Sequence, residues 1–230
     1  MPPLNSVSFY KNDGNSSILP YLTENDRQIL DIGCGSGSNG RLINSIYPSS
    51  RITGVTCSQA EYEEASKVLD CCIHTDLERN DLSFAHKFDA LLLCHVLEHL
   101  VDPVSVINKL LPFLKPNGKV IILLPNIASW RSRWRLARGI FEYTKSGIMD
   151  ETHLHFYTYY TVCRHFLDPL PQLDKLSLSV NGSIPLGFLR HHLLNQSTRN
   201  FLDNLGCSMF PNLFGGEIIL YCSVNDQQDL

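Results

Sequence analysis

An aspartate followed by three alternating glycines is the segment of this sequence best suited to hold a ligand. Residues 29–37 read Ile-Leu-Asp-Ile-Gly-Cys-Gly-Ser-Gly. The apolar start is typical of a buried parallel strand, and Gly33, Gly35 and Gly37 let the backbone turn tightly where a ligand approaches. A helix is expected over 39–46, with its free N–H groups directed at that ligand. The pattern predicts a nucleotide-type cofactor site at the edge of an open α/β sheet.

Two kinds of nucleotide cofactor compete for this loop. Gly35, Gly37 and Gly40 satisfy the G-x-G-x-x-G spacing of dinucleotide binders, although that spacing alone is a weak signal. A dinucleotide site also needs an acidic residue for the ribose after the second strand. The predicted second strand, residues 52–55, is followed by Thr56 instead, which disfavours an NAD-dependent oxidoreductase.

The string from Asp31 to Gly37 instead resembles motif I of the class I S-adenosylmethionine-dependent methyltransferases. The resemblance covers residues 25–166. Within it, Val-Leu-Glu-His-Leu, Asp-Pro and Leu-Lys-Pro-Asn-Gly-Lys, at 96–119, resemble the branch that includes ubiquinone-biosynthesis O-methyltransferases and MetW-type proteins. The resemblance implies S-adenosyl-L-methionine as the cofactor and S-adenosyl-L-homocysteine as its product. It also implies that Asp31 lies close to the amino group of the cofactor.

The same resemblance implies further cofactor contacts along the carboxyl edge of the sheet. Thr56 resembles a threonine of the cyclopropane fatty acid synthases, with Glu61 or Gln59 as its polar partner, but Ser58 and Glu61 equally fit a helix capping box. Asp76 matches the position that contacts the adenine amine, or else it caps a turn. The complete predicted cofactor set is Asp31, Gly33, Cys34, Gly35, Gly37, Thr56, Cys57, Glu61, Asp76, Leu77, Cys94 and His95.

A His-Val-Leu-Glu-His string follows the predicted fourth strand, residues 88–94. It matches the H-x-x-E-H signature of inverzincin proteases, but His95 ends a strand and does not lie on a long helix, which disfavours a zinc protease. Some relatives carry Glu-x-x-Glu-His and hold a divalent cation there, and imidazole with carboxylate could do so here. We predict no metal, and we place Glu98 and His99 at the start of the next helix and in the acceptor pocket.

An insertion after the predicted strand 120–124 contains a second group of chemically active residues. Residues 147–158 resemble a Gly-Ile-x-Asp-x-Thr-His-Leu-x-Phe-x-Thr string of related methyltransferases, and Thr158 is expected to cap the next helix. His153 suits a general base because its ordinary pKa lies near neutrality, or it pins the insertion to backbone. The predicted catalytic residues are His153, His99 and His95. The predicted substrate residues are Glu98, His99, Trp130, Arg131, His153, His155 and Tyr157.

A helix with a basic face is predicted within the same insertion. It follows Pro-Asn-Ile-Ala-Ser-Trp at 125–130 and carries four arginines, Arg131, Arg133, Arg135 and Arg138. These charges suit a carboxylate or phosphate on the acceptor. A solvated face, or a contact with a partner subunit, is the favoured interpretation for most of them.

The elements that must position these residues fit one α/β domain, because 230 residues suffice for a sizeable core. The predicted fold class is a single-domain, Rossmann-like, doubly wound sheet, mostly parallel with an antiparallel last strand, plus a helical lid insertion. The domain would span 1–230, with an N-terminal segment at 1–25 and substrate-lid insertions at 126–160 and 183–216. Strands at 173–180 and 217–224 should complete the sheet.

Composition limits the partners. A net charge of −4 disfavours nucleic acid. No apolar run reaches membrane-spanning length, and the start has no signal-peptide pattern. Cysteines within strand-like runs fit free thiols in a reducing cytoplasm. We therefore expect a cytoplasmic protein without a membrane span, and leave a homodimer open. Apolar side chains in the variable regions suggest a small organic acceptor, or they equally fit the core. These are Phe141, Tyr143, Ile184, Phe188, Phe210 and Phe214.

The predicted reaction is methyl transfer from S-adenosylmethionine to a hydroxyl or carboxyl oxygen of a small molecule. The sulfonium is already activated, so the protein must mainly align the acceptor and exclude water. The alternatives are N-methylation of a small molecule or peptide, and a non-catalytic regulatory protein that binds the cofactor.

Overall fold

The central element is a seven-stranded sheet with the strand order β3-β2-β1-β4-β5-β7-β6. It is seen in a computed structural model that describes residues 13–185 and 193–225. The strands are β1 (Gln28–Ile32), β2 (Arg51–Thr56), β3 (Cys71–His74), β4 (Phe88–Cys94), β5 (Leu114–Pro125), β6 (Leu173–Gly182) and β7 (Gly215–Val224). The first five strands pair in parallel, and β7 is antiparallel to both β5 and β6. This is the sheet that the sequence predicts.

Seven α-helices of the described residues surround or follow the sheet. They are α1 (Ser38–Ile46), α2 (Gln59–Ala65), α3 (Pro103–Leu110), α4 (Trp130–Ala137), α5 (Val162–Phe166), α6 (Gln196–Met209) and α7 (Pro211–Phe214). Short 3₁₀ helices occupy Ser16–Tyr21, Leu97–His99 and Leu111–Phe113. None of the helices in the described ranges is both long and apolar enough to cross a membrane.

The two faces of the sheet bury separate apolar layers. Along β1, Ile29 belongs to the layer shared with α1 and α2, whereas Leu30 and Ile32 belong to the layer shared with α3 and α5. Alternate side chains of a strand point to opposite faces, so a continuous apolar run is needed when both faces are covered. The same alternation along β4 explains its predicted place in the middle of the sheet.

Local signals set most of the helix starts. The Asp102 side chain accepts a hydrogen bond from the backbone N–H of Ser105 at 3.0 Å, and Pro103 occupies the first turn of α3. The expectation that Thr158 caps the next helix is wrong. Thr161 directly precedes α5, and the Thr158 carbonyl instead accepts the N–H groups of Thr161 and Val162 in the preceding turn.

The two predicted lid insertions meet at Ser183 and Ile184, which form hydrogen bonds with both α4 and α6. The Trp130 indole N–H donates to the Ser183 carbonyl at 2.9 Å, and the Arg131 guanidinium donates to the Ser183 hydroxyl at 3.3 Å. The Asp203 carboxylate accepts the N–H of Ile184 at 2.9 Å, which ties α6 to the same segment. Of the apolar residues expected to favour a small acceptor, Phe188 lies outside the described ranges, and Phe141, Tyr143 and Phe210 are exposed.

Candidate active site

The glycine loop begins at the carboxyl end of β1, beside the point where the strand order reverses between β1 and β4. Ligands of open α/β sheets bind at such reversal points. Gly33 has a φ of 67°, and a Cβ there would lie 2.8 Å from the Val96 side chain. Only glycine relieves both the left-handed backbone and this close approach. The loop is thus held in its turn by packing against the segment that follows β4.

Asp31 is a fully buried acid at this edge. Neither of its carboxylate oxygens makes a hydrogen bond of good geometry with the described residues. Burial raises the pKa of Asp31 to about 7, and the nearby Asn39 side chain offsets this only in part. A buried carboxylate without a partner is costly, so this position favours a cationic ligand group.

Thr56 and Glu61 form a pair at the end of β2. The Thr56 hydroxyl donates to the Glu61 carboxylate at 2.7 Å, and the N–H of Ser58 donates to the Thr56 oxygen at 3.2 Å. Ser58 also caps α2, since its hydroxyl accepts the N–H of Glu61 at 3.4 Å. The Glu61 side chain therefore does not complete the capping box. It brings a carboxylate to the strand end where the sequence shows only a threonine.

Asp76 and Leu77 follow β3. The Asp76 carboxylate accepts the N–H of Glu78 at 3.0 Å and pairs with Arg79 at 3.2 Å, so the turn-capping role is present. The side chain of Leu77 lines a cleft of about 190 Å³ between this turn and α3. A contact of either residue with adenine remains a prediction.

The predicted cofactor cysteines differ in their surroundings. Cys34 is buried, Cys94 is half-buried and Cys57 is exposed. Burial raises the pKa of all three thiols. All eight cysteines are free, and a raised pKa disfavours the thiolate that nucleophilic chemistry needs.

His95 lies between two carboxylates. Its Nε2 is 2.7 Å from Glu217 of β7, and its Nδ1 is 3.4 Å from Glu98. Burial by itself would lower the pKa of His95, but these two partners outweigh it and raise the pKa to about 9. The imidazole is therefore protonated at neutral pH. A proton-acceptor role is therefore disfavoured for His95, and its predicted place among the catalytic residues stays a prediction.

Glu217 is the residue that sequence reasoning missed. Besides His95, it accepts hydrogen bonds from the Asn15 amide and the Ser17 hydroxyl, each at 2.6 Å. These partners hold the pKa of Glu217 below its usual value although burial opposes them. The Asn15 N–H donates in turn to the side chain of Asn39 in α1. Asn15 and Ser17 are thereby held beside the start of α1, and no local motif around residue 217 predicts these contacts.

Glu98 is the second buried acid of the site. Its side chain is 1 % exposed, and neither oxygen makes a hydrogen bond of good geometry within the described part of the chain. Its backbone carbonyl accepts the N–H groups of Leu154 at 2.8 Å and His155 at 3.2 Å. The insertion is thus attached directly to the segment that follows β4.

His99 and His153 lie next to each other, with ring centroids 4.7 Å apart. Nδ1 of His99 is 3.0 Å from the Thr152 hydroxyl and 3.3 Å from the Thr152 carbonyl. Nδ1 of His153 is 3.1 Å from the Ile148 carbonyl. The backbone contact expected for His153 is therefore present, and its role as a general base stays a prediction.

The remaining predicted substrate residues differ in their contacts. Nε2 of His155 is 3.2 Å from the Val101 carbonyl. Tyr157 is buried, its hydroxyl has no partner among the described residues, and burial together with Glu98 raises its pKa. Trp130 and Arg131 stack on each other at 5.0 Å and bond to Ser183. The structure therefore brings Tyr157 toward Glu98, whereas Trp130 and Arg131 join the two insertions.

Comparison with known proteins agrees with this architecture. A family model described as a methyltransferase domain matches residues 11–166. Trans-aconitate 2-methyltransferase of Escherichia coli is 28% identical over 103 residues, which cover 45% of this chain and 41% of that protein. Ubiquinone biosynthesis O-methyltransferase of Histophilus somni is 25% identical over 154 residues, covering 60% and 63%. The matches thus span less than two thirds of either relative.

A solved structure shares the fold over nearly the whole chain. It is a SAM-dependent methyltransferase from Archaeoglobus fulgidus, with a TM-score of 0.58, 16% identity and 90% coverage of both chains. The predicted fold class is confirmed. Since the family model covers more than half of the sequence, the chain belongs to the methyltransferase-domain family.

Proposed function

We propose that this protein transfers a methyl group from S-adenosylmethionine to a hydroxyl or carboxyl oxygen of a small organic acceptor. The observation that carries the proposal is Asp31, a fully buried carboxylate without a hydrogen-bond partner of good geometry among the described residues. The cofactor's amino group supplies the cation that this acid needs. The family and the position of Asp31 beside the glycine loop support the same assignment.

The ribose of the cofactor is assigned to the Thr56–Glu61 pair. A carboxylate is the group that usually takes ribose hydroxyls in sheets of this kind. Glu61 reaches the end of β2 from the first turn of α2 and is oriented there by the Thr56 hydroxyl at 2.7 Å. Thr56 at the strand end is therefore compatible with ribose binding, because Glu61 of α2 supplies the carboxylate.

An oxygen acceptor is supported by the chemistry of His99 and His153. Nδ1 of each ring faces a carbonyl oxygen and so is the donor nitrogen, which makes Nε2 the nitrogen with the lone pair in the neutral ring. Such a nitrogen can take the proton that a hydroxyl loses during methyl transfer. The names of the two relatives, one an O-methyltransferase, point in the same direction.

The first test is calorimetric titration of the protein with S-adenosylmethionine, S-adenosylhomocysteine and NAD. We expect micromolar binding of the first two and none of NAD. Asp31→Asn should weaken binding of S-adenosylmethionine by about 10-fold or more, as expected when a charge-assisted contact is lost. Asp168→Asn, at an exposed position, should bind as the wild type does.

Three outcomes would contradict the proposal in different places. Binding of NAD alone would reassign the glycine loop to a dinucleotide. Binding of S-adenosylmethionine followed by methylation of amines and not of oxygens would overturn the acceptor class. Cofactor binding without turnover on any hydroxyl, carboxyl or amine acceptor would favour a regulatory protein.

A further inference from the structure

Three buried oxygens on the acceptor side of the molecule lack a hydrogen-bond partner. They are the two carboxylate oxygens of Glu98 and the hydroxyl oxygen of Tyr157, and none has a bond of good geometry to the described residues. The Glu98 side chain is 1 % exposed, and Tyr157 is 2 % exposed. Polar groups buried in this state are costly unless a partner reaches them. The three oxygens therefore indicate a ligand.

The two side chains come from segments that are attached to each other. Glu98 lies in the turn after β4, and its carbonyl accepts the N–H groups of Leu154 and His155, shortly before Tyr157 in the insertion. Burial and, after it, the charge of Glu98 raise the pKa of Tyr157. The phenol therefore stays protonated close to the acid, and its oxygen can still accept a hydrogen bond.

We propose that Glu98 and Tyr157 bind a protonated amino group of the methyl acceptor. An ammonium group has three N–H donors and no acceptor, which matches three oxygens that can all accept. A hydroxyl has a single donor and would leave two of the three oxygens without a partner. The inference rests on the proposed function and names the class of its acceptor, which is an amino alcohol.

The charge balance around Glu98 favours the same ligand. The imidazolium of His95 approaches Glu98 through Nδ1 at 3.4 Å, but its Nε2 lies 2.7 Å from Glu217. One cation thus serves two carboxylates, and one negative charge stays uncompensated. His99 and His153, the two other titratable rings close to Glu98, act as neutral bases in the proposed function. A cationic group on the acceptor supplies the missing charge.

The two histidines set the distance between the amino group and the reacting hydroxyl. A carboxylate oxygen of Glu98 and one ring nitrogen each of His99 and His153 lie within 4.8 Å of one another. Hydrogen bonds of about 2.7–3.2 Å to the acid and to a ring then fit an amino group and a hydroxyl on neighbouring carbons. The amino group occupies the carboxylate, so the histidines stay available for the hydroxyl proton.

A protonated amino group also directs the methyl group to oxygen. Its nitrogen has no lone pair and cannot attack the methyl carbon. The hydroxyl oxygen forms the new bond to that carbon, and the sulfur–methyl bond breaks with its electron pair passing to sulfur. The hydroxyl proton goes to Nε2 of a histidine. Glu98 thereby selects both the acceptor and the atom of it that is methylated.

The test uses ethanolamine, a small compound with an amino group and a hydroxyl on neighbouring carbons, added to protein saturated with S-adenosylhomocysteine. Two-dimensional NMR follows the amide signals of Leu154 and His155, whose N–H groups donate to the Glu98 carbonyl. We expect saturable shifts with a dissociation constant of about 1–10 mM, as suits a ligand of four non-hydrogen atoms. Ethylene glycol and N-acetylethanolamine lack the cation and should bind about 10-fold more weakly or less.

Three variants locate the binding. Glu98→Gln keeps the shape of the side chain but removes its charge, and should weaken ethanolamine binding by about 10-fold or more. Tyr157→Phe removes one of the three acceptor atoms and should weaken it by about 3–10-fold. Glu151→Gln is the matched control, because Glu151 is an exposed glutamate of the same insertion, and it should bind ethanolamine as the wild type does.

Calorimetric titration of each protein with S-adenosylhomocysteine keeps the two proposals apart. If that ligand binds and ethanolamine gives no saturable shift, the inference is wrong and the proposed function stands. Equal affinities for ethanolamine and ethylene glycol would overturn the cationic class, and an unchanged affinity in Tyr157→Phe and Glu98→Gln would overturn the site. Tyr157→Phe decides alone where Glu98→Gln does not fold. No binding of S-adenosylhomocysteine to the wild type would overturn the proposed function and the inference with it.

Discussion

At the cofactor edge, formed by residues 31–37 and 56–61, the side-chain contacts of Glu61 are with residues near in sequence. The Thr56 hydroxyl donates to the Glu61 carboxylate, and the Ser58 hydroxyl accepts the backbone N–H of Glu61. The acceptor side, formed by Glu98, His99 and the insertion at 126–160, is joined across long separations, as when Thr152 accepts from His99. The contacts of Glu61 therefore span three to five positions, whereas the acceptor side requires the insertion to lie against the segment that follows β4.

The first way to sharpen this comparison uses two glycines with similar backbones. Gly33 at the cofactor edge has a φ of 67° and would place a Cβ 2.8 Å from Val96; Gly139 in the insertion has a φ of 71° and open space around it. Gly33→Ala should lower the free energy of unfolding by about 2–5 kcal/mol, from backbone strain plus overpacking. Gly139→Ala should cost only about 1 kcal/mol, from the backbone alone. Chemical denaturation measures both, and equal losses would contradict the tighter packing of the cofactor edge.

The second prediction removes Glu217, which joins β7 to His95 and to residues 15 and 17. Glu217→Ala leaves His95, Asn15 and Ser17 without their shared acceptor, and we expect a loss of about 2–3 kcal/mol in unfolding free energy, typical of a lost charge-assisted hydrogen bond. Hydrogen exchange should rise in the 3₁₀ helix at Ser16–Tyr21. Glu63→Ala, at an exposed position of α2, should change neither quantity. An unchanged exchange rate in the N-terminal segment would show that Glu217 does not anchor it.

The third prediction is that the affinity for S-adenosylmethionine depends on pH through Asp31 at the cofactor edge. The pKa of Asp31 is raised to about 7, so the carboxylate needed for a cationic ligand is lost as the pH falls through 7. An α-amino group keeps its charge over that range because its own pKa lies near 7.7–8.0. Affinity for S-adenosylmethionine should therefore fall by about 10-fold between pH 7.5 and pH 5.5. Titrations of Asp31→Asn over the same range should show a flat affinity, and a parallel fall in that variant would assign the effect elsewhere.

The same shift has a consequence for the stability of the ligand-free protein. Because the folded-state pKa of Asp31 lies above its ordinary value of 3.8, folding favours the protonated form. The stability contributed by Asp31 is fully present below pH 3.8 and is lost as the pH rises through about 7. At neutral pH, binding of the cofactor's cationic group should restore the folding stability that ionisation of Asp31 removes.

The smallest expected effect concerns the basic face of α4. Arg135 lies 3.7 Å from Glu142, which is well exposed, and exposed ion pairs contribute about 0–1 kcal/mol. Arg135→Ala should therefore change the unfolding free energy by less than about 0.5 kcal/mol. A larger loss in thermal denaturation would mean that this helix is packed and not solvated.

Sequence reasoning predicts correctly the features whose signal lies within a single helix, strand or turn. The apolar runs of β1 and β4, the Asp102-Pro103 start of α3 and the glycine turn can all be predicted because each has its signal within a short stretch of sequence. The capping role of Ser58 follows from the same kind of local rule.

The rest depended on contacts that no local pattern records. Glu217 lies 122 positions from His95, and Thr152 lies 53 positions from His99. His95 therefore looked like a free catalytic histidine, although its ring is committed to a carboxylate of the last strand. The start of α5 was misplaced for a related reason, since the hydroxyls of Thr158 and Thr161 contact each other and either could have begun the helix.

The attachment of Asn15 and Ser17 to Glu217 also bears on how the protein is made. These hydrogen bonds join residues 202 and 200 positions apart. During synthesis, which proceeds from the N-terminus at about 5–20 residues per second, the segment beside the glycine loop must wait at least about ten seconds for its anchor. A nascent chain stalled before β7 would hold the glycine loop and β1 through β5, yet Asn15 and Ser17 would lack the Glu217 carboxylate to which both donate.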